Sequence, residues 1–147
     1  MKRRGQVNHL SPEYAAERLV SAWLSRNVKL NPPAGSTEIC KLEQVFGGPI
    51  PHDLAAFYSL ANGMADYETD KYCMSFWSIN RILNEMHKGK PTEIWFADFM
   101  ICSWGFFYRP IEVGRLIIGS DYDSNLALPS FGTFLDLYLN DPKQLGL

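Results

Sequence analysis

The apolar period of this chain changes along its length: it is helical up to Ala61, strand-like from Ile94 to Gly119, and helical again after Ser130. Residues repeating every three to four positions form one stripe of a helix, whereas aromatic and β-branched tracts suit a pleated sheet. Helices first, strands in the middle and a helix last predict an α+β fold, an antiparallel sheet with the N-terminal helices and a C-terminal helix packed on one face.

The helical punctuation is explicit. Ser11-Pro12-Glu13 supplies a cap, a proline for the first turn and an early acid, and Ala16, Leu19, Val20, Trp23 and Leu24 then recur on one side. Asn31 to Gly35 interrupts the chain. Ser36 is read as the cap of a second helix with Ile39, Leu42, Val45 and Phe46 as its apolar face and Gly47-Gly48 as its end. After the stiff Pro49-Ile50-Pro51 connector, Leu54, Phe57, Tyr58 and Ala61 mark a third helix. Asn62-Gly63 is then read as a left-handed helix stop, with a two-residue hairpin as the alternative.

A strand is predicted over Tyr72 to Trp77, then a short helix through Ile79, Ile82, Leu83 and Met86 closed by Gly89 and Pro91. Ile94 to Ile101, Trp104 to Tyr108 (ended by Arg109-Pro110) and Gly114 to Gly119 follow as a meander. Strict alternation would put Trp95, Ala97 and Phe99 in the core and leave Ile94, Phe96 and Asp98 on the more exposed face. Ser130 caps a last helix carrying Phe131, Phe134, Leu135, Tyr138 and Leu139, stopped at Asp141-Pro142.

A chain of 147 residues suits a single domain with a core that needs no staple; residues 1 to 10 are expected to form a flexible tail. Three widely spaced cysteines, Cys40, Cys73 and Cys102, fit neither a disulfide framework nor a zinc ribbon, and point to a reducing cytoplasm. Lys2-Arg3-Arg4 is not followed by an apolar run, and no later stretch has the length of a membrane span. The net charge is -2, and without the three positive charges of Lys2 to Arg4 the remaining chain stands at -5. A near-neutral chain with a mildly acidic body argues against direct nucleic-acid binding through a basic face, and with no candidate span no membrane partner is expected.

The sequence offers little for catalysis. His9, His52 and His87 lie in a tail, at a helix start and at a helix end. A Cys102–His52 dyad is left open, but a thiol in an apolar strand is ordinarily buried and inert. Asp121-Tyr122-Asp123-Ser124-Asn125 opens like a calcium loop and then departs from it, with Leu126 where glycine is needed and Gly132 where a bidentate glutamate is needed. No metal or cofactor is expected. Two short runs alternate carboxylates with tyrosines in predicted loops: Asp66, Tyr67, Glu68 and Asp70, and Asp121, Tyr122 and Asp123. Carboxylates steer basic partners and Tyr supplies contact area at small entropic cost, so these seven residues are the candidate partner-binding set. The ordinary alternative is a pair of solvated loops.

Ile39, Leu42-Glu43, Phe46-Gly47, Ile50-Pro51, Asp53-Leu54, Phe57 and Asn62-Gly63, followed by Ile94 to Asp98, Ser130-Phe131 and Phe134-Leu135, make an ordered pattern from about Ser36 to the end. The pattern resembles the SMI1/KNR4 domain of the SUKH superfamily, whose bacterial members are mostly immunity proteins. Ile50-Pro51 stands where such domains usually have Leu-Pro, a change that keeps the apolar group and the proline. The resemblance implies a non-catalytic cytoplasmic protein, expected as a monomer, that binds and neutralises a cognate toxin. A nuclease, with its basic groove, would suit the acidic loops. Because partner surfaces vary among such domains, the resemblance transfers no binding residue. The alternative it carries is a regulatory adaptor, the role of some fungal members.

Overall fold

The computed structural model describes residues 11–86 and 92–147. The expected N-terminal tail, His9, His87 and the Gly89-Pro91 helix end lie outside the described residues. The elements are α1 (Pro12–Ser25), α2 (Ser36–Phe46), α3 (His52–Leu60), β1 (Met74–Phe76), α4 (Ile79–Met86), β2 (Ile94–Phe99), β3 (Trp104–Glu112), β4 (Arg115–Ser120) and α5 (Phe131–Asn140), followed by a 3-10 turn at Pro142–Leu145. The four strands pair antiparallel in the order β1-β2-β3-β4. Helices α1, α3 and α5 pack on one another and α4 lies against β2, so the fold is α+β with helices on a sheet.

Local chemistry explains most of the boundaries. Ser11 Oγ accepts the Tyr14 N–H at 3.2 Å, and α1 buries Ala15, Ala16, Leu19, Val20 and Trp23 while Leu24 faces out. In α2 the cap is Gly35 rather than Ser36: the Glu38 carboxylate accepts the Gly35 N–H at 3.0 Å, and Ser36 is already helical. Gly47 ends α2 with φ +79, the left-handed stop expected. Ser130 Oγ accepts the Thr133 N–H at 3.0 Å and starts α5.

The Asn62-Gly63 step is neither a helix stop nor a hairpin. Helix α3 ends at Leu60 with Ala61 already extended, and Gly63, at φ +67, lies beyond it. Buried Asn62 accepts the Ile79 N–H on Oδ1 at 2.9 Å, capping the distant α4, while its carbonyl accepts Asn31 Nδ2 at 3.0 Å. A Cβ on Gly63 would meet the Trp77 carbonyl at 2.5 Å, so the dipeptide clips three segments together.

Two strands depart from the predicted pattern. Strand β3 runs past Arg109-Pro110 to Glu112, because β2 begins at Ile94 opposite Tyr108 and the proline therefore sits where β3 has a neighbour on one side only, beside a register irregularity. In β2 a bulge lies between Trp95 and Ala97, which pair with Phe107 and Phe106, so Phe96 is the extra residue. That residue belongs to the core. Its ring stacks on Tyr108 (centroids 4.1 Å, 9°) and meets Phe134 edge-on at 5.4 Å. Trp95 and Asp98 therefore share the face opposite Phe96 and Ala97: the bulge exchanges Trp95 for Ile94 and Phe96 in the core, while Ala97 and Phe99 keep the core side that alternation expects.

Candidate binding surface at one end of the sheet

The register gathers three connections at one end of the sheet. Met74, the first residue of β1, pairs with Phe99, the last of β2; Phe99 pairs with Trp104, the first of β3; and Ser120, the last of β4, pairs with Phe106. The loop before β1, the turn between β2 and β3 and the loop after β4 are therefore neighbours. Between them they expose Tyr67 (74%), Met100 (57%), Ile101 (68%) and Tyr122 (64%). Clustered exposed apolar groups rimmed by polar ones are the usual mark of an interaction surface.

Backbone strain is concentrated at the same end. Six described non-glycine residues have left-handed φ values, and five of them are Tyr67, Cys73, Met100, Ile101 and Cys102. Met100, Ile101 and Cys102 are consecutive, at 45°, 54° and 63°. For L-residues this conformation costs about 1–2 kcal/mol each, and a β-branched residue there is a true outlier. Surrounding bonds hold it: Met100 N–H donates to the Cys73 carbonyl at 3.0 Å, Ser103 N–H to the Phe99 carbonyl at 3.0 Å, and Cys102 N–H to Asp98 Oδ2 at 2.9 Å. The outcome is that Met100 and Ile101 project as an apolar tip.

Asp98 is the organising residue beneath the tip. Buried to 3% exposure, it takes the Cys102 thiol on Oδ2 at 3.2 Å and lies 3.5 Å from Arg81 Nη2. The Arg81 guanidinium lies over the Trp77 ring at 4.4 Å and over Tyr67 at 5.7 Å. Beside this pair is a cavity of about 180 Å³ lined by Trp77, Trp95, Asp98, Cys102, Trp104 and Asp121. Among the described residues, the buried side-chain polar atoms without a hydrogen-bond partner are Ser75 Oγ, Trp77 Nε1 and Asp98 Oδ1. All three belong to this corner, with Ser75 paired directly across from Asp98.

Cys102 is exposed on the turn rather than buried in a strand, and its neighbour is Asp98 rather than His52, whose Nε2 lies 2.7 Å from Glu13. Desolvation raises the thiol's pKa and the Asp98 carboxylate raises it further. The sulfur thus holds its proton at neutral pH, unlike an activated nucleophile. No three His, Cys, Asp or Glu among the described residues are grouped to hold a metal ion. No described helix is long and apolar enough to cross a membrane.

The sequence-predicted site residues divide. Asp66 and Tyr67 are exposed, Glu68 is half-buried, and Asp121, Tyr122 and Asp123 are exposed. The two runs flank the tip, separated by the width of the sheet, about 14 Å for three strand spacings. Asp121 Oδ1 accepts the Gly105 N–H at 2.8 Å, Asp123 Oδ1 accepts the Asn125 N–H at 3.0 Å, and Tyr122 lies on Trp104 at 4.9 Å. Asp70 does not belong to the surface. It is buried, and its carboxylate accepts Trp23 Nε1 at 3.1 Å, the Tyr72 and Met74 N–H groups at 2.9 and 3.2 Å, and the Tyr138 hydroxyl. That carboxylate fastens the loop to α1 and α5 instead of facing a partner. Met100, Ile101, Arg81 and Asp98 were not legible as site residues: no glycine announces the turn, and the first two end an apolar tract that reads as strand.

No family model and no curated protein matches this chain.

Proposed function

We propose that this chain is an immunity protein that binds and neutralises a cognate protein toxin by covering its functional surface. The observation that carries the reading is the strained tip of Met100 and Ile101, held out between two acidic, tyrosine-bearing loops. A chain gains nothing in stability by holding two large apolar side chains in water on a left-handed backbone. Strain of this kind is kept where the displayed group has a use. Apolar anchors at the centre with charges at the rim match the division of labour in protein interfaces, where the centre supplies affinity and the rim supplies steering.

Asp66, Glu68, Asp121 and Asp123 give the rim its sign. A partner with a basic face fits, and a nuclease groove shaped for phosphates is such a face. The ordered SMI1/KNR4-like pattern of the sequence supports the same role. Occlusion requires no chemistry from the inhibitor, in keeping with a thiol that holds its proton.

The test is co-expression with a toxin encoded immediately upstream of the gene, and the absence of any such toxin would itself favour the adaptor reading. The reading expects restored growth and a stoichiometric complex. Failure of rescue by a folded protein, with several moderate partners recovered instead of one tight one, would replace it with the adaptor reading.

A further inference from the structure

We infer that the cavity beside Asp98 is a socket for an arginine side chain of the partner. The inference rests on the protein-binding reading above and adds the chemical identity of one anchor. Three tryptophans, Trp77, Trp95 and Trp104, line the cavity together with Asp98, Cys102 and Asp121. A volume of about 180 Å³ is several times the roughly 30 Å³ that one water occupies in the liquid, and admits a planar guanidinium on its stem.

The charge pattern selects a cation. Asp98 is all but buried, and a buried carboxylate is costly unless its oxygens are matched. Oδ2 is occupied by Arg81 and by the Cys102 N–H and thiol, whereas Oδ1 has no partner among the described residues but is enclosed by protein and not open to the cavity, so the accessible carboxylate is that of Asp121. Asp121 commits Oδ1 to Gly105, and no bond is made by its second oxygen among the described residues. An accessible carboxylate, that of Asp121, in a cavity lined by three tryptophans favours a delocalised, weakly hydrated cation, which stacks on aromatic rings and suits carboxylate oxygens better than a compact ammonium. The protein already uses the same chemistry on the other side of Asp98, where Arg81 rests on Trp77. A second guanidinium would complete the neutralisation of the site, Asp98 and Asp121 together balancing Arg81 and the incoming group.

The experiment titrates N-acetyl-arginine amide into the isolated protein and follows the four indole N–H resonances by nuclear magnetic resonance. The Trp77 and Trp95 signals are expected to move with a dissociation constant on the order of millimolar, fitting a single anchor without its interface. The neutral isostere N-acetyl-citrulline amide should produce no such shift. Asp121→Asn, which keeps an acceptor for Gly105, should weaken arginine binding about three- to five-fold while leaving the unliganded spectrum folded. An absent shift, an equal response to citrulline, or an Asp121→Asn protein that binds arginine as well as the parent would overturn the socket. Because the probe is free arginine amide, a failed titration beside successful toxin rescue removes the socket alone. A successful titration without rescue leaves the socket and removes the toxin.

Discussion

Ile101 carries the sharpest conflict between local preference and observed structure, a β-branched residue at φ +54° with its side chain in water. Replacing it with glycine should relieve the left-handed cost, about 1–2 kcal/mol, against an entropic penalty of about 0.5–1 kcal/mol for glycine. Ile101→Gly is therefore expected to leave stability unchanged or raise it by up to about 1.5 kcal/mol, read from the urea midpoint, while weakening the partner complex. A clear loss of stability would mean that the side chain is structural after all. The sequence hid this position because its hydrophobic neighbours continue the strand pattern; the turn is imposed by tertiary bonds from Asp98 and Cys73, not by turn-forming residues. Asp98 was misread for a related reason. An acid on a strand ordinarily marks the solvent face, but here a cation and two donors reach it from α4 and the turn.

At the scale of elements the helices were legible and the sheet faces were not. Caps and stops such as Ser11, Gly47 and Ser130 act over three or four residues, so their meaning survives without tertiary context. A bulge has no such local signature, and one extra residue at Phe96 exchanges the faces of Ile94 and Trp95 while Ala97, Asp98 and Phe99 keep their expected sides. Phe96→Ala should accordingly cost about 3–5 kcal/mol, the range for a fully packed aromatic, since the ring contacts Phe76, Phe106, Tyr108, Phe131 and Phe134. Denaturant unfolding of Phe96→Ala measures this, and a cost below about 1 kcal/mol would return Phe96 to the exposed set. Asn62→Ala tests the other misread junction. It leaves the buried Ile79 N–H unmatched and should cost about 1–3 kcal/mol.

Over the whole molecule, burial sets the response to pH and charge sets the approach of a partner. The phenols of Tyr58, Tyr108 and Tyr138 all have raised pKa values, each chiefly because burial disfavours phenolate. An unfolded tyrosine ionises near pH 10. The stability these phenols contribute is therefore fully present below about pH 10 and is lost as pH rises from there toward the folded values. Thermal melts should be flat in this respect up to about pH 9 and fall steeply beyond pH 10; an unchanged melting temperature well above that would contradict the assignment. The two acidic runs were found by sequence, but their meeting around one tip depends on strand register. Asp70 shows how a loop carboxylate can instead turn inward to serve indole, phenol and backbone donors. Partner binding at the tip is tested most directly by calorimetric titration of the cognate toxin into the parent protein and into Ile101→Asp, with both proteins shown to be folded. A tight one-to-one complex is expected for the parent and at least a hundred-fold loss for the variant, about 2.7 kcal/mol; equal affinities would place the partner face elsewhere.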